Sequence, residues 1–410
     1  MKKIIALLLA VLSLPFPGTA LFGRTTALGE KAEGETEFIS AAKDEKSSAT
    51  EYSMNLNAKS AILMDATTGT ILYEQNPDEA LPPASVTKVM TLLLVMEAID
   101  SGKIALTDPV TTSEAAAKMG GSQVFLEPGE QMSVEEMIKC VVISSANDAA
   151  YALAEHIAGS EEAFVTQMNR RAAELGMNHT HFENTNGLDD TTTDHLISAR
   201  DIAIASRALL SHEKILNYTT IWMDSIRNGA FVLSNTNRLV RFYPGATGLK
   251  TGSTSRALFC ISATAKRGDL HLIAVIMGSP TRDIRNAEAK KLLDYGFANY
   301  ALYSRAAEPG EPLPVHGGLR DNVSVTVTAF SKLMKKGDEK NVRIRLSLPE
   351  YVAAPVVAGD PVGKAEFLLG EEVIGTADIV ASEDVRKISY FEILFRLLSE
   401  MVGFREEKTR

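Results

Sequence analysis

Cysteine is scarce in this sequence: Cys140 and Cys260 are the only two among 410 residues. That excludes a disulfide framework, and a chain of this length can bury a sufficient core without covalent staples. Cys140 lies in an apolar helical run and Cys260 in an apolar strand-like run, so free buried thiols are expected rather than a nucleophile or a ligand. The N-terminal apolar run, Ile4 to Leu14, is too short to cross a bilayer. Basic runs are missing as well, and 42 Lys and Arg against 52 Asp and Glu leave a formal net charge of -10. Nucleic-acid binders need basic patches that displace counterions, so a nucleic-acid partner is excluded. There is no His-Glu-x-x-His sequence, and the one close histidine pair, His179 and His181, reads as a polar loop. No metal site and no cofactor are expected, and no internal repeat is found.

What is there divides along the chain. Hydrophobic residues make up 45 % and charged residues 23 %, an ordinary globular balance for two or three domains. Lys2 and Lys3, the short apolar run and Gly18-Thr19-Ala20 read as a signal peptide over residues 1–20, which implies export. Residues 21–57 are polar and read as a disordered leader. Residues 58–302 carry strand patterns at both ends and helical patterns between them. One mixed sheet with helices packed on it is expected, an α+β domain. Residues 303–386 alternate as short strands, a small all-β domain. Residues 387–410 form an amphipathic helix in which Ile388, Phe391, Leu394, Phe395 and Leu398 share a face. Such a helix can lie on a membrane surface, on its own domain or on a partner.

Three short patterns carry chemistry. Ser-x-x-Lys occurs three times, at Ser40, Ser85 and Ser211, but only Ser85 opens an apolar helix, expected over Val86 to Ile99. There Lys88 stands one turn from Ser85 on the same face. A serine hydroxyl becomes a nucleophile when a base takes its proton, and a buried lysine of lowered pKa can be that base. The bland alternative is a capping serine with a solvated lysine. Ser145-Ala146-Asn147 falls in a helix–helix loop that can aim polar groups at a cleft, or merely cap a helix. Lys250-Thr251-Gly252 occurs once, ahead of the apolar strand Leu258 to Ala265. A lysine and a hydroxyl there can hold a carboxylate, and Gly252 lets a ligand lie close to the backbone.

In this order the three patterns form the set shared by class A β-lactamases and penicillin-binding proteins. The chain resembles the low-molecular-mass penicillin-binding proteins, D-alanyl-D-alanine carboxypeptidases of the serine type. The resemblance runs from about Ala58 to the C-terminus. It rests on Pro83 to Met90, Ile143 to Ala150, Asn186-Gly187-Leu188, His195 with Ala199-Arg200-Asp201, and Gly248 to Gly252. It implies a β-lactamase/transpeptidase-like fold and removal of the terminal D-alanine from peptidoglycan stem peptides at the outer face of the cytoplasmic membrane. Under it Ser85 is acylated, Lys88 is the base and Ser145 relays a proton to the leaving amine. Asn147 holds the substrate backbone and orients Lys88. Lys250 and Thr251 bind the terminal carboxylate, and the backbone N–H groups of Ser85 and Ser253 form the oxyanion hole. β-Lactams acylate the same serine, and the tail helix binds the membrane surface. The chain departs from the family at Ser253, where many members carry His, Phe or Tyr, and at Ala257-Leu258, where Ala-Gly is frequent.

Rival readings stay open at this stage: a D,D-endopeptidase or transpeptidase, a catalytically idle wall-binding protein, and a class A β-lactamase. The last needs an added glutamate, and the surroundings of Glu183 do not resemble that loop. His195 reads as a structural hydrogen-bonder outside the site.

Overall fold

The computed structural model describes residues 54–190 and 192–402. The expected signal peptide and most of the expected leader lie outside the described residues. Met54 is already buried and the side chain of Asn57 donates to Glu288 Oε1 (3.1 Å), so the chain joins the folded body a few residues before the expected start at 58.

Two short strands open the body: β1, Ser60–Asp65, and β2, Ile71–Gln75, joined by a Gly69 turn. A 3-10 turn, Ala84–Thr87, leads into helix α1, Lys88–Asp100, which is buried nearly all round. Four longer helices follow, with shorter ones between and after them: α2, Val134–Ile143; α3, Asn147–Ala158; α4, Glu161–Glu174; and α5, Ala199–Leu210. Their starts are written in the sequence. Ser133 and Glu136 make a capping box on α2, and the Ser160 and Ser198 hydroxyls cap α4 and α5.

The chain then returns through three long strands, β3 (Ala246–Thr254), β4 (Leu258–Arg267) and β5 (Leu270–Ser279), and helix α6, Arg282–Asn299. The sheet order is β2-β1-β5-β4-β3. Every pairing in it is antiparallel, so the sheet is not the mixed one expected. The reason is connectivity: short turns join β3 to β4 and β4 to β5, and only antiparallel neighbours can be joined so tightly.

Strand periodicity of two divides the core. Ile273, Val275 and Met277 of β5 face the helices α1, α2, α3 and α5, while Leu272, Ala274 and Ile276 face α6. The sheet is thus covered on both faces, and its long buried strands read as near-continuous apolar runs. Cys140 and Cys260 are free and buried.

Helix α6 runs directly into strand Tyr300–Arg305, which pairs with Phe330–Lys335. The other strands beyond residue 305 form a five-stranded antiparallel sheet, built on the hairpin Pro361–Leu369 and Glu372–Ala381, and a small three-stranded one. Its centre is Phe367, stacked on Phe330 with ring centroids 3.9 Å apart. Helix α7, Tyr390–Val402, ends the described chain. Phe391 and Phe395 on it are 79 % and 75 % exposed, so its apolar face is not packed on the protein. Among the described residues no helix is long and apolar enough to cross a membrane.

Candidate active site

Pro82 and Pro83 bring the chain to Ala84, which takes a positive φ of 49° and turns it into α1. Ser85 therefore sits on a tight turn rather than inside the helix. Three contacts hold that turn. The Thr87 hydroxyl donates to Ala84 O (2.9 Å) and lies 2.8 Å from His195 Nε2, while His195 Nδ1 accepts from the Glu183 amide (2.9 Å). With Nδ1 accepting, the proton is on Nε2, and burial holds the ring neutral by pulling its pKa down to about 4. Gly187 is the second contact: a Cβ there would sit 1.9 Å from Ala84 O. Gly252 is the third, since a Cβ on it would come within 2.8 Å of Pro83 O and of the Ser85 amide nitrogen.

Lys88, the first residue of α1, is fully buried. Its Nζ lies 3.0 Å from Ser85 Oγ, 2.5 Å from Asn147 Oδ1 and 3.0 Å from Asn186 O. Burial and the nearby Lys250 charge hold its pKa well below the ordinary lysine value, against the opposing pull of Asp148. A neutral amine has two hydrogens and one lone pair. Two carbonyl acceptors take the hydrogens and leave the lone pair for the serine hydroxyl. The acceptors are fixed in turn. Asn147 donates to Gly120 O (2.6 Å) from its amide group and to Ser122 O (2.7 Å) from its backbone. The Asn184 side chain accepts from the Asn186 and Gly187 amides, which shapes the turn that presents Asn186 O. Ser145 has a positive φ of 62°, and its hydroxyl lines the cleft with no hydrogen-bond partner among the described residues.

The Lys250-Thr251-Gly252 segment precedes the strand β4, as expected, and itself lies within a strand, β3 at the sheet edge, where Lys250 faces Ser262 and Gly252 faces Cys260 of β4. Burial and the Arg285 charge pull the Lys250 pKa to about 7. Its Nζ donates to Thr251 O (2.9 Å), and the Thr251 hydroxyl donates to Thr236 Oγ1 (2.8 Å). Arg285, on α6, is buried yet makes no ion pair among the described residues; it donates to Asn286 Oδ1 (2.9 Å) and Cys260 O (3.3 Å). Leu258 takes φ 58° at the position where the resembling family often has glycine.

Ser85, Ser145, Thr251, Gly252 and Ser253 line one cleft of about 640 Å³, with Lys88, Asn147 and Lys250 buried behind it. Sequence reasoning missed Asn186, Thr236 and Arg285. Asn186 was legible as part of an Asn-x-Asn-Gly turn, but it acts through its backbone carbonyl, which any residue carries. Thr236 and Arg285 belong to no motif and reach the cleft only through the fold. Glu183 Oε2 accepts from the Asp194 amide and takes no part in the cleft. Among the described residues no three His, Cys, Asp or Glu side chains could hold a metal ion.

Residues 45–281 match the family described as D-alanyl-D-alanine carboxypeptidase, and residues 297–387 match the penicillin-binding protein 5 C-terminal domain. The D-alanyl-D-alanine carboxypeptidase DacF of Bacillus subtilis is 43 % identical over 356 residues, 85 % of this chain and 91 % of that protein. The crystal structure of penicillin-binding protein 5 from Haemophilus influenzae superposes with a TM-score of 0.68 at 32 % identity, covering 81 % of this chain and 98 % of that one. Penicillin-binding protein D2 from Listeria monocytogenes, solved with ampicillin bound, gives 0.54 at 31 % identity over 59 % of this chain and 98 % of its own.

The neutral histidine behind Ser85 has a thermodynamic signature. With a folded pKa of about 4 against 6.5 unfolded, His195 lets the unfolded chain take up its proton first as pH falls. Stability is expected to decline from pH 6.5 toward pH 4, by up to roughly 3 kcal/mol for this one ring. Urea unfolding between pH 6.5 and 5 checks it: His195→Asn should lower stability at pH 7 and flatten the slope. Equal slopes in both proteins would contradict the assignment.

Proposed function

The chain belongs to the D-alanyl-D-alanine carboxypeptidase family, and from that premise we propose how its own residues remove a terminal D-alanine from peptidoglycan stem peptides. It is a serine D-alanyl-D-alanine carboxypeptidase of the cell wall. The observation that carries the residue assignment is the buried Lys88 amine, 3.0 Å from Ser85 Oγ, with both its hydrogens matched by fixed carbonyl acceptors.

Lys250, Thr251 and Arg285 hold the substrate's terminal carboxylate, which sets the penultimate carbonyl over Ser85. Lys88 takes the Ser85 hydroxyl proton as Oγ attacks that carbonyl carbon. The oxyanion is received by the backbone N–H groups of Ser85 and Ser253, on the turn and the strand that Gly252 lets approach. Ser145 passes a proton to the amine of the terminal residue, the C–N bond breaks and D-alanine departs. Water adds to the Ser85 ester, the C–O bond breaks, and the proton returns to Oγ. Asn147 orients Lys88 and binds the substrate backbone. In a β-lactam the broken amide lies in a ring, so the amine stays tethered in the cleft and the ester persists. The ampicillin complex of the Listeria relative supports that reading.

A wall substrate requires export, which the signal-like residues 1–20 would supply. The exposed apolar face of α7 supports attachment to the membrane surface, at the depth where Phe and Leu side chains meet the acyl boundary.

Intact-mass analysis with benzylpenicillin tests the nucleophile: one adduct on the wild type is expected and none on Ser85→Ala, and an adduct on both would refute the assignment. The pH profile of acylation tests the base. Because the Lys250 charge lowers the Lys88 pKa, Lys250→Gln should raise it and move the acidic limb of the acylation rate to higher pH; an unmoved limb would exclude the coupling. For the tail, removal of residues 388–410 should abolish sedimentation with phosphatidylglycerol vesicles while leaving penicillin acylation intact. Undiminished sedimentation would place the membrane contact elsewhere.

A further inference from the structure

Residues 184–189 form a short, stiff segment that reaches three parts of the frame around Ser85. Asn184 Nδ2 donates to Leu188 O (2.8 Å), the Leu188 amide donates to Asn186 Oδ1 (2.9 Å), and the Thr91 hydroxyl on α1 donates to Thr185 O (2.6 Å). From this mount Asn186 O receives Lys88, and Gly187 closes on the Ala84 turn. The third contact belongs to Asp189, which takes no part in the mechanism above. Its Oδ2 accepts from the Thr254 hydroxyl (2.5 Å), a length that suits a hydroxyl on a carboxylate. The same Thr254 oxygen accepts from the Ala257 amide (2.9 Å), so it also closes the turn from β3 to β4. Thr254 follows Ser253 at the end of β3, the edge of the sheet. An edge strand is held by a neighbour on one side only. Ser253 lines the cleft and is exposed, so its own side chain does little to fix it.

We propose that Asp189 and Thr254 are positioning residues for the oxyanion hole. The carboxylate fixes the Thr254 hydroxyl, and through it the Ser253 N–H, in the same frame that holds Ser85 and Lys88. The inference rests on the reading of Ser85 as nucleophile and of the Ser85 and Ser253 N–H groups as the oxyanion donors. Such donors work by being aimed in advance at the place where charge develops. A slack donor therefore costs the transition state more than the bound substrate, and lowers kcat more than it raises KM. Arg256 supplies the comparison. Its guanidinium donates to Thr192 O (3.1 Å) and Thr193 O (3.0 Å), which ties the same turn to the same loop. It does so from farther along the turn, without touching the residue beside Ser253. A general brace would depend on both bridges alike, whereas a clamp on the oxyanion strand depends on Asp189 and Thr254.

Two measurements on the full chain test it. One is the kinetics of D-alanine release from diacetyl-L-lysyl-D-alanyl-D-alanine. The other is the infrared band of the ester carbonyl in the penicilloyl-enzyme, made with penicillin isotopically labelled at the β-lactam carbonyl. Hydrogen bonds to that oxygen lower the band, so it reports the oxyanion hole, and only from protein folded well enough to be acylated. Asp189→Ala and Thr254→Val should each lower kcat about tenfold to a hundredfold, keep KM within about threefold, and move the band to higher wavenumber. Thr254→Ser keeps the hydroxyl; it should restore the band and bring kcat within about threefold of wild type. Arg256→Ala should leave the band in place. A band unmoved by Asp189→Ala and Thr254→Val overturns the positioning role and leaves the carboxypeptidase reading standing. So does a band that Arg256→Ala moves equally far, or a Thr254→Ser variant as impaired as Thr254→Val. Wild type that releases no D-alanine and takes no penicillin adduct overturns the underlying reading with it.

Discussion

An ammonium group without a carboxylate beside it is among the costliest things a protein can bury, and Lys88 is fully enclosed. The affordable solution is to keep the amine neutral, and much of the domain serves that end. Helix α1 is apolar on every side, which strips water from the lysine. Asn147 and Asn186 offer carbonyl oxygens rather than carboxylates, so they orient the amine without stabilising its charge. Asp148, the carboxylate whose charge opposes the lowering of the Lys88 pKa, accepts from the Val124 and Leu126 amides (both 3.1 Å), tying down the loop whose Gly120 and Ser122 carbonyls hold Asn147.

Ser85, the proposed nucleophile, is placed by backbone approach rather than by side-chain packing. Gly187 and Gly252 close on the Ala84 turn from two directions, at distances that no Cβ tolerates. Ala84 and Ser145 both adopt left-handed backbone, which costs on the order of 1–3 kcal/mol per residue. Such conformations persist where the surroundings over-determine them. Here the His195–Thr87–Ala84 chain fixes one, and the junction of α2 with α3, both deep in the larger core, fixes the other.

What could be read from the sequence follows the range of the interactions. The Ser85–Lys88 pair is local, and helical spacing alone puts the two on one face. Helix α2 has the bounds its pattern indicates because Ser133 and Ile143 are marked by a cap and by the loss of apolar period. Strand β3 was hidden, since Gly245, Gly248 and Gly252 with Thr247 and Thr251 read as turn residues; its partner β4 makes it a strand. Arg285 was illegible for a different reason. Its significance lies in being near Lys250, which is 35 positions away along the chain and reaches it only through the fold.

The positive cluster on the cleft has a consequence for the base. Lys250 lowers the Lys88 pKa, and Arg285 lowers that of Lys250, so the empty cleft holds the weakest base and the strongest field for an anion. A carboxylate bound at Lys250 and Arg285 cancels part of that field. By the sign of Coulomb's law Lys88 then becomes more basic, at the moment when the Ser85 proton must be taken. When the terminal residue leaves, its carboxylate goes with it and the field returns. The proton that Lys88 takes from the attacking water is then given up to Ser85 Oγ more readily, which is what restoring the serine hydroxyl requires. A peptide capped as an amide would lose both halves of this cycle, because it brings no charge to cancel the field. On the proposed roles of Ser85, Lys88 and Lys250, selectivity for a free C-terminus is part of the proton transfer and not a separate act of binding.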